Sequence, residues 1–181
     1  LVGVSWLPAV ALAGLSALEL VWHTRHFQSS NALLPLTWYG GFFIIFAVYP
    51  FLFRRLFARF TGPWAVAAMS GLAQFWIVYQ AIKSGWPSIL PFIGAIPTAF
   101  AIPAVVSLFL VLRTISSDNP KRLNQLAWFG GVALFFITLA LPMQLDRQWL
   151  TVAWSLEGVA LLWLFLRVPH PGLRATGLVL L

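Results

Sequence analysis

Repeated apolar runs of about 20 residues, separated by short segments that carry charge, proline or glycine, constrain this chain more than any other feature. The runs are continuous and lack the alternation over about ten residues that marks transmembrane barrel strands. Because a helix satisfies its own backbone hydrogen bonds in hydrocarbon, each run is predicted to be a membrane-crossing α-helix. The predicted helices extend approximately over Leu1 to Trp22, Leu33 to Phe53, Trp64 to Ile82, Ile89 to Leu112, Leu126 to Met143 and Trp149 to Leu166, and a seventh begins near Ala175.

The composition excludes a water-soluble globule. Hydrophobic residues make up 61% of the 181 residues and charged residues 8%, whereas roughly a quarter of an ordinary soluble domain is charged. The net charge of +7 could indicate nucleic-acid binding, but the eleven Lys and Arg residues are spread along the chain and form no clustered basic face. The chain has no Cys, which excludes disulfides and thiolate metal sites. We therefore predict an all-α polytopic transmembrane helix bundle that is surrounded by membrane lipid and has no nucleic-acid partner.

The chain is predicted to be a single integral-membrane unit over residues 1–181. It starts at Leu1 rather than Met and stops within the apolar run from Ala175 to Leu181. We therefore expect it to be a segment of a longer protein, whose remaining helices would be its partners.

Two segments of the chain are similar to each other. The segment from Thr37 to Phe46 resembles that from Ala127 to Phe136 at an offset of 90 residues. Three predicted helices separate the two, so a true duplication would be a 3+3 inverted repeat of residues 1–82 and 89–166, the arrangement of many secondary transporters. The alternative is chance similarity between segments rich in Trp, Phe and Gly.

Basic residues are distributed unevenly between the predicted loops. The loops after the second, fourth and sixth helices carry eight of them, namely Arg54, Arg55, Arg59, Arg113, Lys121, Arg122, Arg167 and Arg174. The other three loops carry Arg25, Lys83 and Arg147. Because cytoplasmic loops are enriched in Lys and Arg, the Arg-rich loops are predicted to be cytoplasmic.

Glu157 is the ionisable residue that the sequence places closest to the bilayer centre, nine residues into the sixth predicted helix. An ionised carboxylate at that depth costs about 2.5 to 3.5 kcal/mol and is rarely left without a partner. Two interpretations remain open. Glu157 either links neighbouring helices through a hydrogen bond or takes part in a proton relay or substrate contact.

Gln74, Thr98 and Pro97 are predicted to lie at a depth similar to that of Glu157 and to form a mid-membrane polar cluster with it. The fourth predicted helix contains three prolines at six-residue spacing, which are Pro91, Pro97 and Pro103. Each internal proline removes a backbone hydrogen bond, so a straight helix is improbable and the freed carbonyl groups need partners. Broken helices of this kind line transporter sites. The alternatives are an interhelical hydrogen bond for Gln74, a bond from Thr98 to its own helix, and a simple proline kink.

Glu19, His23 and His26 are spaced at i, i+4 and i+7, which places them on one helix face if the first helix continues past Trp22. A carboxylate and two imidazoles can bind Zn²⁺ with water in the fourth position. The alternative is solvation of these side chains near an external loop. We predict no resident metal and no cofactor.

The stretch from Ile137 to Leu181 contains the pattern W-x3-A-W-x-L-E-x2-A-L-x-W-L followed by an Arg-bearing turn. The matching residues are Pro142, Trp149, Ala153, Trp154, Leu156, Glu157, Ala160, Leu161, Trp163, Leu164, Arg167, Arg174 and Gly177. This stretch resembles the large many-helix bacterial predicted membrane proteins that are classified as a domain of unknown function. The resemblance implies a bacterial inner-membrane setting and a longer chain, and it implies no established activity and no known catalytic residues.

The function predicted from these features is that of a multi-pass membrane protein that is transporter-like or flippase-like for an envelope component. The alternative is a non-catalytic scaffold or subunit of an envelope complex. The sequence shows no nucleophile elbow, phosphate-binding glycine loop or H-E-x-x-H motif, so an enzyme is less favoured.

Overall fold

The computed structural model describes residues 6–144 and the five positions 155, 158, 159, 162 and 163. Over residues 6–144 the chain forms six α-helices and contains no strand. The helices are α1 (Leu7–His26), α2 (Leu33–Leu52), α3 (Arg54–Phe57), α4 (Gly62–Gly85), α5 (Ala95–Thr114) and α6 (Arg122–Gln144). Two 3₁₀ turns, Ser29–Asn31 and Pro87–Phe92, precede α2 and α5. The all-α prediction is confirmed.

Five of the described helices, all except the four-residue α3, are long and apolar enough to cross a membrane. They contain 20 to 24 residues, which corresponds to about 30 to 36 Å at 1.5 Å per residue and matches the hydrocarbon thickness of a bilayer. The first five predicted crossings therefore correspond to helices in the structure. The predicted sixth crossing and the start of the seventh lie outside the continuously described range.

The proline-rich segment before α5 differs from the predicted helix over Ile89 to Leu112. Residues Pro87–Phe92 form a 3₁₀ turn, and the α-helix begins only at Ala95. Pro97 is then the third residue of α5, where the backbone N–H would have no intrahelical partner in any case. The expected interruption of a straight helix is present, and it falls before Pro97 rather than around it. Pro103 remains inside α5.

Helix α4 is the central element of the described bundle, because it packs against α1, α2, α5 and α6. Aromatic rings fill the space on the side of α4 that faces α2, α5 and α6. The Phe100 ring lies 5.1 Å from that of Phe43 and 5.4 Å from that of Phe136, measured between centroids. Gly71 lets these rings approach the α4 backbone, since a Cβ there would lie 3.2 Å from Phe136 Cε2. Helix α1 packs mainly on α4. It lies beside the part of α4 that holds Ala73, Gln74 and Ile77.

The two described Arg-rich connections meet at one end of the bundle. Asn119, in the α5–α6 connection, donates a hydrogen bond from Nδ2 to the Ala58 carbonyl at 2.7 Å. Gln125 at the start of α6 is fully buried, and its Nε2 donates to the same carbonyl at 3.1 Å. The connections that hold Arg54 to Arg59 and Arg113 to Arg122 therefore share one end, as the charge pattern requires.

At the opposite end of the bundle, the turn after α4 contacts the end of α6, and the end of α4 contacts the turn before α2. Gln144 Nε2 donates to the Pro91 carbonyl at 2.7 Å, and Gln144 Oε1 accepts a hydrogen bond from the Gly94 N–H at 3.0 Å. A Cβ on Gly85 would lie 2.5 Å from Ala32 Cβ, so the end of α4 contacts the turn before α2. Helices α2 and α6 consequently run in opposite directions. The inverted repeat of residues 1–82 and 89–166 stays a prediction, because its second half extends beyond residue 144.

Candidate functional site

Glu157, the ionisable residue that the sequence places closest to the bilayer centre, lies outside the described residues. The buried carboxyl that the structure does describe is Glu19. Helix α1 continues to His26, so Glu19 is the thirteenth of its 20 residues rather than a residue at the helix end. At 1.5 Å per residue, Glu19 lies about 10 Å from that end of α1. It is 7% exposed and occupies the same helix face as the buried Leu12, seven residues earlier.

The partner of Glu19 comes from α4. Gln74 is 1% exposed, and its Nε2 donates a hydrogen bond to Glu19 Oε2 at 2.5 Å. The structure thus gives Gln74 an interhelical hydrogen bond, and the partner is a residue on α1 that is 55 positions away in the chain. The Glu19–Gln74 pair ties α1 to the central helix inside the apolar span.

Three buried oxygen atoms around this pair have no hydrogen-bond partner among the described residues. They are Glu19 Oε1, Gln74 Oε1 and Ser16 Oγ. A buried polar group without a partner costs about 1 to 3 kcal/mol, and more if it is charged. Ser16 lies one helical turn before Glu19 on α1. Three acceptor atoms are therefore available at one place in the bundle.

All three residues line a groove of about 260 Å³ between α1 and α4. The exposed side chains of Ala17, Leu20, Ala73 and Trp76 also line it, together with the buried Ile77. The groove is therefore polar at its base and apolar where it meets the outside of the bundle. Its volume is several times the roughly 30 Å³ that one water molecule occupies in the liquid.

The three candidate zinc ligands, Glu19, His23 and His26, lie in different surroundings. Glu19 bonds to Gln74, and His23 Nδ1 shares a hydrogen bond of 3.1 Å with the hydroxyl of the buried Tyr39 on α2. His26 is exposed and stacks on Trp22. Within the part of the chain that the structure describes, no group of three His, Cys, Asp or Glu residues is placed to hold a metal ion. The contacts of Glu19 and His23 instead attach α1 to α4 and α2.

Thr98 and Pro97 are not among the residues that line this groove. Thr98 is exposed, and its Oγ1 donates to the Gly94 carbonyl of its own helix turn at 2.8 Å. Pro97 is buried in the first turn of α5. The carbonyl of Pro91 receives its hydrogen bond from Gln144 rather than from Thr98. Of the predicted mid-membrane cluster, the structure therefore brings only Gln74 to the groove, and its relation to Glu157 stays a prediction.

Sequence reasoning did not pair Gln74 with Glu19, although one signal was available. Glu19 and Gln74 are both hydrogen-bonding residues within long apolar helices. Alternating crossings also place the ends of the first and third predicted helices on the same side of the membrane. A first helix that ends at Trp22, as predicted, places Glu19 near the helix end. With the helix extended to His26, the two residues lie at comparable depths.

The helices and the groove together define a class: an integral membrane helix bundle with a polar groove inside its span, in a lipid environment. The chain belongs to the family described as "Predicted membrane protein (DUF2339)", whose model matches residues 1–181. The resemblance seen in the sequence from Ile137 to Leu181 is thereby confirmed. No curated protein and no solved structure matches the chain.

Proposed function

We propose that this chain is part of a transporter-like or flippase-like protein of the bacterial inner membrane that handles an amphipathic envelope component. One observation carries the proposal, which is the groove between α1 and α4. At its base lie oxygens of Ser16, Glu19 and Gln74 that no described residue pairs. Membrane helices rarely hold a carboxyl group inside the span without a functional or pairing role. Here the described residues supply one hydrogen bond to the Glu19 carboxyl, at Oε2, and no partner for Oε1.

The shape of the groove suits an amphipathic molecule. The polar base can hydrogen-bond a headgroup, while the exposed apolar side chains of Leu20 and Trp76 can contact acyl chains that remain in the lipid. Such a site lowers the cost of bringing a polar headgroup into the hydrocarbon, which is the main barrier to its crossing. No bond-making chemistry is required of the protein.

The direction of the bundle is part of the proposal. With the Arg-rich end in the cytoplasm, the groove lies closer to the external end, because Glu19 is seven residues before the end of α1. Since the chain has no native cysteine, Phe57→Cys and Gln28→Cys can each carry a single label. We expect the cysteine at position 57 to react only from the cytoplasm and that at position 28 only from outside. The reverse labelling pattern would overturn the orientation.

The transport function is tested with the purified full chain in liposomes. We expect movement of a fluorescent amphipathic lipid between leaflets, and we expect Glu19→Gln to slow it. Asp118→Asn is the matched control, since Asp118 is an exposed acid in the α5–α6 connection. Absence of movement for every candidate lipid and for protons would refute the proposal, as would full transport in the Glu19→Gln variant.

A non-catalytic scaffold is the second candidate, and the packing of the bundle interior favours it. The space between Phe43, Phe100 and Phe129 leaves a void of only about 10 Å³, which is at the lower limit for a single water molecule. The described helices therefore leave no room for a headgroup at this position. A scaffold predicts stable copurifying partners and tolerance of Glu19→Gln, whereas bulky substitutions at Gly130 or Gly158 would disrupt assembly.

A further inference from the structure

We propose that the groove between α1 and α4 binds the protonated primary amine of a membrane amphiphile, with Ser16 Oγ, Glu19 Oε1 and Gln74 Oε1 as its acceptors. The proposal rests on the proposed transport function and names the headgroup chemistry of its substrate. Two independent observations support it: the three residues line one groove, and each presents a buried oxygen that has no partner within the described part of the chain.

The number and kind of free atoms define the ligand. A primary ammonium group has three N–H donors and no acceptor. The groove offers three oxygens, and the hydrogen bond that Glu19 Oε2 receives from Gln74 Nε2 leaves Glu19 Oε1 free for the ligand. One bound ammonium could therefore satisfy all three orphaned atoms, and each of its three protons would have an acceptor.

Charge favours the same ligand. Glu19 is the acidic residue among the described residues that line the groove, and none of these is Lys, Arg or His. The titratable side chains of His23 on α1 and Tyr39 on α2 hydrogen-bond to each other. A carboxylate and an ammonium in a poorly solvated site form a charge-assisted hydrogen bond, which is about twice as strong as a neutral one. An anionic headgroup would find no counter-charge on the described side chains that line the groove.

The same geometry disfavours two other cations. A quaternary ammonium has no N–H donor, so it would leave all three oxygens unpaired although the groove of about 260 Å³ is large enough to admit it. Ca²⁺ and Mg²⁺ take about six or more oxygen ligands, so water would have to supply about half of their coordination shell in this groove. Selection therefore depends on the donors of the ligand rather than on its size.

The test compares two lipids that differ only in the methyl groups on nitrogen. The detergent-purified full chain is mixed with equal amounts of phosphatidylethanolamine and phosphatidylcholine with identical acyl chains, and bound lipid is counted by native mass spectrometry. We expect a preference of about tenfold or more for the primary amine, the effect of one charge-assisted hydrogen bond. Glu19→Gln should reduce that preference to near one, and Ser16→Ala should weaken it several-fold.

Controls separate binding from folding and identify the source of the amine. Asp118→Asn should retain the full preference, and all variants should elute as the wild type does in size-exclusion chromatography. If Glu19→Gln fails this criterion, Ser16→Ala and Glu19→Asp replace it as the deciding variants. Ethanolamine at concentrations comparable to the lipid should not displace the bound lipid. Displacement by this soluble amine would overturn the assignment to an amphiphile.

Equal binding of the two lipids by the wild type, or an unchanged preference in the Glu19 and Ser16 variants, would overturn the inference. These binding results do not decide the proposed function, which the liposome assay tests separately. Lipid movement in liposomes without headgroup preference would refute the amine site and support transport, whereas selective amine binding without lipid movement would support the site and refute transport.

Discussion

Replacing the two members of the Glu19–Gln74 pair, singly and together, distinguishes a functional polar pair from a structural one. Gln74→Leu removes the hydrogen bond that Glu19 Oε2 accepts and leaves both carboxyl oxygens without a described partner. Glu19→Leu leaves the buried Gln74 amide in the same condition. We expect each single variant to lose about 1 to 3 kcal/mol of unfolding free energy, the cost of an orphaned buried polar group.

The double variant Glu19→Leu with Gln74→Leu should behave differently, because it removes both polar groups at once. Two apolar side chains of similar size in an apolar site are expected to cost less than about 1 kcal/mol relative to the wild type, since exchange of a buried polar pair for apolar residues is often neutral. The two single costs sum to about 2 to 6 kcal/mol. The coupling energy between the positions should therefore exceed about 1 kcal/mol.

Unfolding in mixed micelles of a mild detergent and SDS, followed by circular dichroism, measures these free energies. Lipid movement in liposomes is then compared between the wild type and the double variant. A function that depends on the groove predicts a double variant that is stable and inactive, whereas a scaffold predicts one that is stable and functional. Additive single costs, with no coupling between the positions, would refute the pairing of α1 with α4 through these side chains.

Three further predictions test the contacts that position the helices. Gly94→Ala should destabilise the bundle by about 1 to 3 kcal/mol, because its Cβ would lie 2.7 Å from Gln144 Cβ and 2.9 Å from the Ala140 carbonyl oxygen. Gly14→Ala is the control, since no atom lies within 4 Å of its Cβ position. Equal thermal stability of the two variants in detergent would contradict this packing. Gln125→Leu should lower the free energy of unfolding by about 1 to 3 kcal/mol, since it removes the hydrogen bonds to the Ala58 and Phe60 carbonyls. An unchanged SDS unfolding midpoint would argue against the contact between the Arg-rich connections. Gly85→Val should lower the thermal midpoint, because the Cβ would lie 2.5 Å from Ala32 Cβ, and a midpoint equal to that of the wild type would show that the turn before α2 is placed elsewhere.

The helix ends show why local patterns gave only part of the architecture. The start of α2 at Leu33 could be predicted because an apolar run begins there. The start of α5 could not, because apolarity continues through residues 89–94 while the backbone forms a 3₁₀ turn. Gln144 contacts the end of that turn, since it donates to the Pro91 carbonyl and accepts from the Gly94 N–H across 53 and 50 positions of the chain.

The residues of the candidate site could likewise be predicted only in part from the sequence. Gln74 could be singled out from the sequence, because a buried amide in an apolar helix requires a partner wherever that helix packs. Its partner could not, since a hydrogen bond between residues 55 positions apart depends on which helices become neighbours. Thr98, by contrast, bonds within its own turn, and the sequence already offered that alternative.

The sequence by itself determined that this is an all-helical membrane protein with alternating Arg-rich connections, because helix length, apolarity and loop charge are properties of contiguous residues. Only the tertiary structure decided that α4 is central, that α1 packs on it, and that Ser16, Glu19 and Gln74 share a groove. The physical reason is that apolar helices resemble one another in lipid, so specific contacts of small and polar side chains select the neighbours. A buried carboxyl acquires its role from the neighbour that those contacts select.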